Sequence, residues 1–414
     1  MKETDVMKRL LIPLSSMLII LLVVVSCDII SPQDTPPTPV DLNFKSAEII
    51  KADQQFAFEL FSEISSLSTE ENIMISPLSV SYALGMTHNG AEGATLEAFN
   101  DVLHFDELTR QEVNESYKDL MGQLVTLDDQ VEFTIANSIW YRQGASVLDS
   151  FISTNREYFD AVVEELDFSD PASVDVINDW IEEQTNDKIK DMLDQIPPAA
   201  YMYLVNAIYF NAEWKYTFDE EDTFSGDFNL EEGGTETVDY MQIEQQFGYT
   251  RQEDYAAVEL PYGDSAFSMV AFRPADGISV DSFITMYGQE EWSNLVALSA
   301  TQEVNVHLPR FKYEFKSLLN DPLTEMGLGI AFGGDADFSG ITRETDLYIS
   351  RVIHQSFIDV NEKGTEAAAA TIVEMRESSI GNFIRFDRPF VYMIKENSTG
   401  AILFMGKVGR PVYE

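Results

Sequence analysis

The chain has 414 residues, with 71 Asp and Glu against 26 Lys and Arg, four His and one Cys, for a formal net charge of -45. One cysteine excludes an internal disulfide framework and any multi-cysteine zinc or iron–sulfur site. A charge this negative argues against nucleic acid or an anionic membrane surface as partner, since both need a basic stripe. At 45% hydrophobic and 12% aromatic residues the chain is too apolar for disorder, and its length alone points to about two or three domains.

Lys8 and Arg9 precede an apolar run from Leu10 to Val25, followed by Ser26 and Cys27. A basic start, a short apolar core and small residues before a cut read as a secretory signal over residues 1–26. The residues before Cys27 resemble a bacterial lipobox. That resemblance implies that Cys27 becomes the mature N-terminus, carries lipid on its sulfur, and anchors an extracytoplasmic domain to the cell envelope or surface. The alternative is an uncleaved membrane helix. The run is short for a span of about 20 residues, and Pro13 interrupts it. Met7 makes a cleaner start than Met1, which would include Glu3 and Asp5. Loss of residues 1–26 removes Lys2, Lys8, Arg9, Glu3 and Asp5, so the charge moves from -45 to -46. Residues 27–42 hold Pro32, Pro36, Pro37 and Pro39 and form a semi-extended tether.

From residue 43 onward there is no Pro- or Gly-rich linker and no repeat, which predicts one domain over 43–414. Ile49, Ile50, Phe56, Leu60, Phe61, Ile64 and Leu67 recur at helical spacing over 44–67. Ile73 to Ile75 is a short strand running into Ser76 and Pro77, an N-cap followed by proline at the first helical position. Val80, Ala83, Leu84 and Thr87 continue that helix. The pattern then predicts a strand over 131–141, a helix over 173–193 and a central, nearly all-apolar strand over 202–211. Gly233 with Gly234, and Asn397 to Gly400, are hairpin signals. The second separates Phe390–Ile394 from Ala401–Val408. Helices concentrate early and strands late, so the expected class is α+β.

Catalytic motifs are missing. There is no nucleophile elbow, no zincin helix, no phosphate loop and no dinucleotide fingerprint. His88, His104, His307 and His354 do not stand at metal-ligand spacing, and His307 lies in a strand pattern as a structural residue. No metal or cofactor is expected. An enzyme or an unrelated surface lipoprotein has no motif in its favour.

The informative segment starts at Glu362, after a strand over Ser356 to Val360. It continues through Lys363, Gly364, Thr365, Glu366, Ala367, Ala368, Ala369, Ala370 and Thr371. Four alanines favour a helical turn. At period two, however, residues 365, 367, 369, 371, 373 and 375 are all uncharged, while Glu366, Glu374 and Arg376 share the other face. That is a strand with one buried face, small enough to enter an existing sheet.

Here the chain resembles the serpins, specifically the hinge of the inhibitory serpin loop. The likeness extends, in family order, to Asn72–Leu84, Leu204–Phe210 with Trp214, Val258–Tyr262, Leu308–Phe311, Ala336–Gly340 and Arg388–Phe390. It covers about residues 44–414. It implies a serpin fold with mixed sheets, surrounding helices and an exposed reactive-centre loop. It also implies an irreversible inhibitor, not an enzyme, that forms a covalent complex with a serine (or some cysteine) protease and is monomeric in its active form. Counting from Gly364, and back from Phe386 and Pro389, places the cut at Ser378–Ser379, which suits an elastase-like or subtilisin-like protease. Shifted cuts at Met375 or Arg376 would suit chymotrypsin-like or trypsin-like enzymes.

By the same resemblance, Ser76, Ser79, Asn206 and His354 form a hydrogen-bonded cluster controlling sheet opening. Trp214 marks where insertion begins, and Arg310 pairs with Glu362 to pin the hinge. The family's heparin-type region matches about residues 94–124. Glu97, Asp101, Asp106, Glu107, Glu112 and Glu115 there argue against polyanion activation. The alternative reading is a non-inhibitory serpin acting as a carrier, but such proteins lose the small, uncharged hinge that Thr365 and Ala367–Ala370 retain. The acidity itself suggests adaptation to salt.

Overall fold

The first helix, α1 (Phe44–Leu67), follows from its apolar stripe: Ile49, Phe56, Leu60 and Ile64 are fully buried. Leu67, placed on the same stripe by spacing, is instead half exposed because the helix ends there. A computed structural model describes residues 39–42, 44–105, 108–197, 199–287, 301–365 and 381–413. These lie within the unit Pro36–Glu414.

Strand β1 (Asn72–Ile75) leads into α2 (Pro77–His88), whose N-cap Ser76 accepts a hydrogen bond from the Ser79 amide, with proline at the start. Next come α3 (Gly93–Leu103), α4 (Arg110–Leu124), β2 (Val131–Arg142), α5 (Asp149–Phe159), β3 (Val162–Leu166), α6 (Ala172–Gln184) and β4 (Met202–Glu213). The second half is mostly strand: β5 (Phe224–Asn229), β6 (Thr235–Arg251), β7 (Tyr255–Pro261) and β8 (Phe267–Pro274), then α7 (Val280–Met286). After it come β9 (Thr301–Pro309), β10 (Phe311–Leu318), β11 (Ile353–Val360), β12 (Gly364–Thr365), β13 (Asn382–Arg385), β14 (Phe390–Glu396) and β15 (Ile402–Val408). Both hairpin signals are turns, with Gly233, Gly234 and Gly400 at φ 94°, 93° and 76°, a region that glycine enters without strain.

One prediction fails. The helix expected over 173–193 stops at Gln184. Asn186, Asp187 and Asp191 take left-handed backbone at φ 49°, 61° and 49°, which ends the helical ladder. The segment folds back so that Ile189 and Leu193 pack with Ile177 and Ile181 of α6 and with Trp140 and Val205 of the sheet. The apolar spacing was real, but a non-helical chain satisfies it.

Two sheets enclose the main core. One has the order β10-β11-β12-β4-β2-β3, and the other runs β1-β15-β14-β8-β7-β6-β9-β13, with β5 added on β6. Between them Phe210 of β4 meets Phe267 of β8 at 5.8 Å and Phe404 of β15 at 6.2 Å. Strand β4 is internal to its sheet, as its apolar sequence predicted. Its neighbour β11 is not bonded to it directly. Among the described residues the two share no ladder, and only the two-residue β12 spans them, Thr365 facing Val360 on one side and Ala212 on the other.

Candidate functional site

The site begins at β12. Gly364 lies so close to β4 that a Cβ there would stand 2.7 Å from the Glu213 Cα, which explains glycine at this position. Thr365 is buried, and its Oγ1 shares a hydrogen bond of 2.6 Å with the Tyr262 hydroxyl. The Tyr262 ring stacks on Trp214 at 4.4 Å and 11°. Trp214 in turn donates from Nε1 to the Asn361 carbonyl at 2.9 Å and from its amide to the Lys363 carbonyl at 2.8 Å. Aromatic stacking and three hydrogen bonds thus hold residues 361–365 against the upper end of β4.

Glu362 is only 3% exposed. Its carboxylate accepts from Arg310 Nε at 2.6 Å, from the rest of that guanidinium, and from the Thr223 hydroxyl. Arg310 is also stacked over the Tyr413 ring at 5.5 Å. A buried carboxylate needs such a partner, because desolvation without one costs several kcal/mol. Below Thr365 a cavity of about 20 Å³ lies between Ile208 and Phe210 of β4 and Ser356 and Phe357 of β11. That is room for about one water.

Deeper in the fold, α2 ties the strands on either side of the gap. His354 Nε2, on β11, accepts from the Ser76 amide at 3.2 Å, and the Ser76 hydroxyl donates to the Leu403 carbonyl at 2.7 Å. The Ser79 hydroxyl donates to Asn206 Oδ1 on β4. Asn206 Nδ2 donates to Asn137 Oδ1 on β2 at 2.7 Å, and Asn137 reaches the Phe159 carbonyl at 2.8 Å. Burial pushes the His354 imidazole down to about 4. It is therefore neutral at neutral pH, and its acceptor role at Nε2 assigns the proton to Nδ1. Separating β4 from β11 strains these bonds, because both strands are held to one helix.

The predicted cluster of Ser76, Ser79, Asn206 and His354 therefore comes together, as do Arg310 with Glu362 and Trp214 with the hinge. Glu366, Ala367 to Ala370, Thr371, Met375, Arg376, Ser378, Ser379 and Cys27 lie outside the described residues. Tyr262, Thr223 and Asn137 were missed. Asn137 had a faint signal, an amide between the apolar Ile135–Ala136 and Ile139–Trp140 of its strand. The other histidines are occupied locally: His88 by Asn100 at 2.9 Å and His104 by Glu59 at 3.0 Å. His307 sits between the Phe224 and Phe383 rings at 5.0 and 4.9 Å.

Two sheets frame the site, one of them bridged between β11 and β4 by the two-residue β12 alone among the described residues. A family model described as "Serpin (serine protease inhibitor)" matches residues 51–411. The chain belongs to the serpin family, a family of protease inhibitors rather than catalysts. An uncharacterized serpin-like protein of Methanosarcina acetivorans is 36% identical over 383 residues, covering 89% of each chain. The native-state structure of the thermophilic serpin tengpin superposes with a TM-score of 0.82 at 31% identity, covering 91% of this chain and 97% of that one. Human thyroxine-binding globulin complexed with thyroxine gives a TM-score of 0.81 at 26% identity, covering 89% and 100%.

Proposed function

We propose that this chain is an irreversible suicide-substrate inhibitor of serine proteases, which traps the acyl-enzyme when its cut loop enters the gap between β4 and β11. The supporting observation is β12: the first two hinge residues already pair with both flanking strands, at the head of a gap that no ladder of described residues closes. Continuing that strand by about a dozen residues adds ladder bonds worth roughly 0.5–1.5 kcal/mol each, plus burial of its apolar face. The sum matches the whole net stability of a typical domain, about 5–15 kcal/mol, so the uncut form must be kinetically trapped. The small, uncharged residues Ala367, Ala369 and Thr371 fit this role. They weigh against a carrier function of the thyroxine-binding kind.

The cut bond is Ser378–Ser379, and the target has a small specificity pocket, elastase-like or subtilisin-like. Cys27 carries the lipid that holds the domain outside the cytoplasm. The test is incubation of the purified protein with elastase, subtilisin, trypsin and chymotrypsin. A detergent-stable complex should form with the first two, with release of a peptide beginning at Ser379. Clean cleavage without a complex would favour the carrier reading, and a peptide with another N-terminus would move the cut.

A further inference from the structure

A cleft of about 870 Å³ opens where the C-terminal end of α2, the first turns of α4, one face of α5 and residues 339–343 meet. Its lining includes Asn89 and Asn114, buried amides that bond each other both ways at 3.0 and 2.9 Å. Its charge is unusual for this chain. Against 71 acids and 26 bases overall, the cleft presents two arginines, Arg110 and Arg343, and a single acid, Glu92.

Arg110 is partly engaged. It meets Glu92 at 3.3 Å and donates to the Ala91 carbonyl at 2.6 Å, which leaves its buried Nε without a partner. Arg343 is exposed and, among the described residues, makes no hydrogen bond or ion pair. The side-chain hydroxyls of Ser150, Thr154 and Tyr158 also line the cleft and are likewise unspent among the described residues, whereas Ser339 is held by the Asp337 carboxylate. In a chain so rich in carboxylates, a cationic group and three hydroxyls left free around one concavity call for an external partner.

We propose that this cleft binds a small oxyanion carried on a hydroxylated body, of the sugar-phosphate kind. The two guanidiniums take the anionic group through charge-assisted hydrogen bonds, and the free hydroxyls meet those of the body. A long polyanion is disfavoured, because Glu115 accepts from the lining residue Gln111 at 2.8 Å and repels further negative charge at the rim. A bound ligand would tie α4, α5 and the 339–343 segment to the end of α2, the helix whose other end holds His354 and Asn206. Because the ligand binds the folded state, it would raise the unfolding midpoint.

Calorimetric titration of the full-length protein with glucose 6-phosphate, inorganic phosphate and glucose tests this. Saturable binding of one glucose 6-phosphate per chain is expected, and Arg343→Glu should weaken it tenfold or more. Arg351→Glu, the same charge change at an exposed arginine that does not line the cleft, should leave it unaltered. Equal affinity for inorganic phosphate would support the oxyanion site and identify free phosphate as its source. The proposal is overturned if no saturable heat appears at millimolar ligand, if glucose binds as well as its phosphate, or if Arg351→Glu weakens binding as much as Arg343→Glu.

Discussion

Acid should loosen the gapped sheet at one identifiable atom. His354 Nε2 can accept from the Ser76 amide only while unprotonated, and burial holds its pKa near about 4, against about 6.5 in an unfolded chain. Between those values the unfolded chain binds a proton that the folded chain does not. The His354 contribution is therefore fully present above about pH 6.5 and is lost as pH falls toward 4. At about 1.4 kcal/mol per pH unit, the loss is about 3 kcal/mol. The comparison is guanidinium unfolding, followed by tryptophan fluorescence, for the natural protein and His354→Gln at about pH 7 and about pH 4.5. Glutamine offers an acceptor oxygen but does not titrate. The natural protein should lose about 2.4 kcal/mol more than the variant across that interval, which stops short of the full shift. His88 and His307, also pushed down to about 4 by burial, titrate in both proteins and cancel in the difference. Asp53 cancels too, with the opposite sign: burial raises it to about 7, so its contribution fades as pH rises. Equal acid sensitivity in the two proteins would refute the reasoning.

Three single substitutions and one double variant probe the hinge. Glu362→Lys breaks a buried pair at a cost of about 3–5 kcal/mol and sets a second cation beside Arg310. Loop–sheet polymers should appear by size-exclusion chromatography after warming, and a protein that stays monomeric would speak against the pinning role. Gly364→Ala drives a methyl group into the β4 backbone. The variant should be cut by its protease without trapping it, and undiminished complex formation would show that docking of β12 is dispensable. Tyr262→Phe leaves the Thr365 hydroxyl buried and unpaired, at about 1–3 kcal/mol, which should lower the ratio of trapped to cleaved product about tenfold. Adding Thr365→Val removes the orphaned group and should restore much of that ratio. No recovery in the double variant would mean that the hydrogen bond is not what holds the hinge.

Most of the fold was legible because burial writes itself into spacing. The α1 stripe, the apolar β4 and the glycine turns each follow from one local rule. The segment after Gln184 misled because Ile189 and Leu193 keep helical intervals while left-handed residues turn the chain between them. At the site, the residues quoted from serpin-like motifs did converge. Their partners were harder to see. Thr223 meets Glu362 across 139 positions and Tyr262 meets Thr365 across 103, and no periodicity connects such distant residues. The cleft was invisible for a related reason: it depends on which groups remain unbonded, and a sequence does not list those.

Strand β13 lies parallel to β9 at the sheet edge, with Asn382 facing Val304, while Thr365 is fixed at the head of the gap. Residues 366–381 must join these two points, and sixteen residues reach at most about 56 Å when fully stretched. Running down the twelve residues of β4 takes about 40 Å, which leaves about 16 Å for the way to β13. An uncut loop would therefore have little slack with which to fill the gap while β13 stays paired. Under the proposed mechanism, chain length would act as a fuse: the fold would withhold its last strand until a peptide bond is broken, and the enzyme that breaks the bond would be the one the new strand carries away.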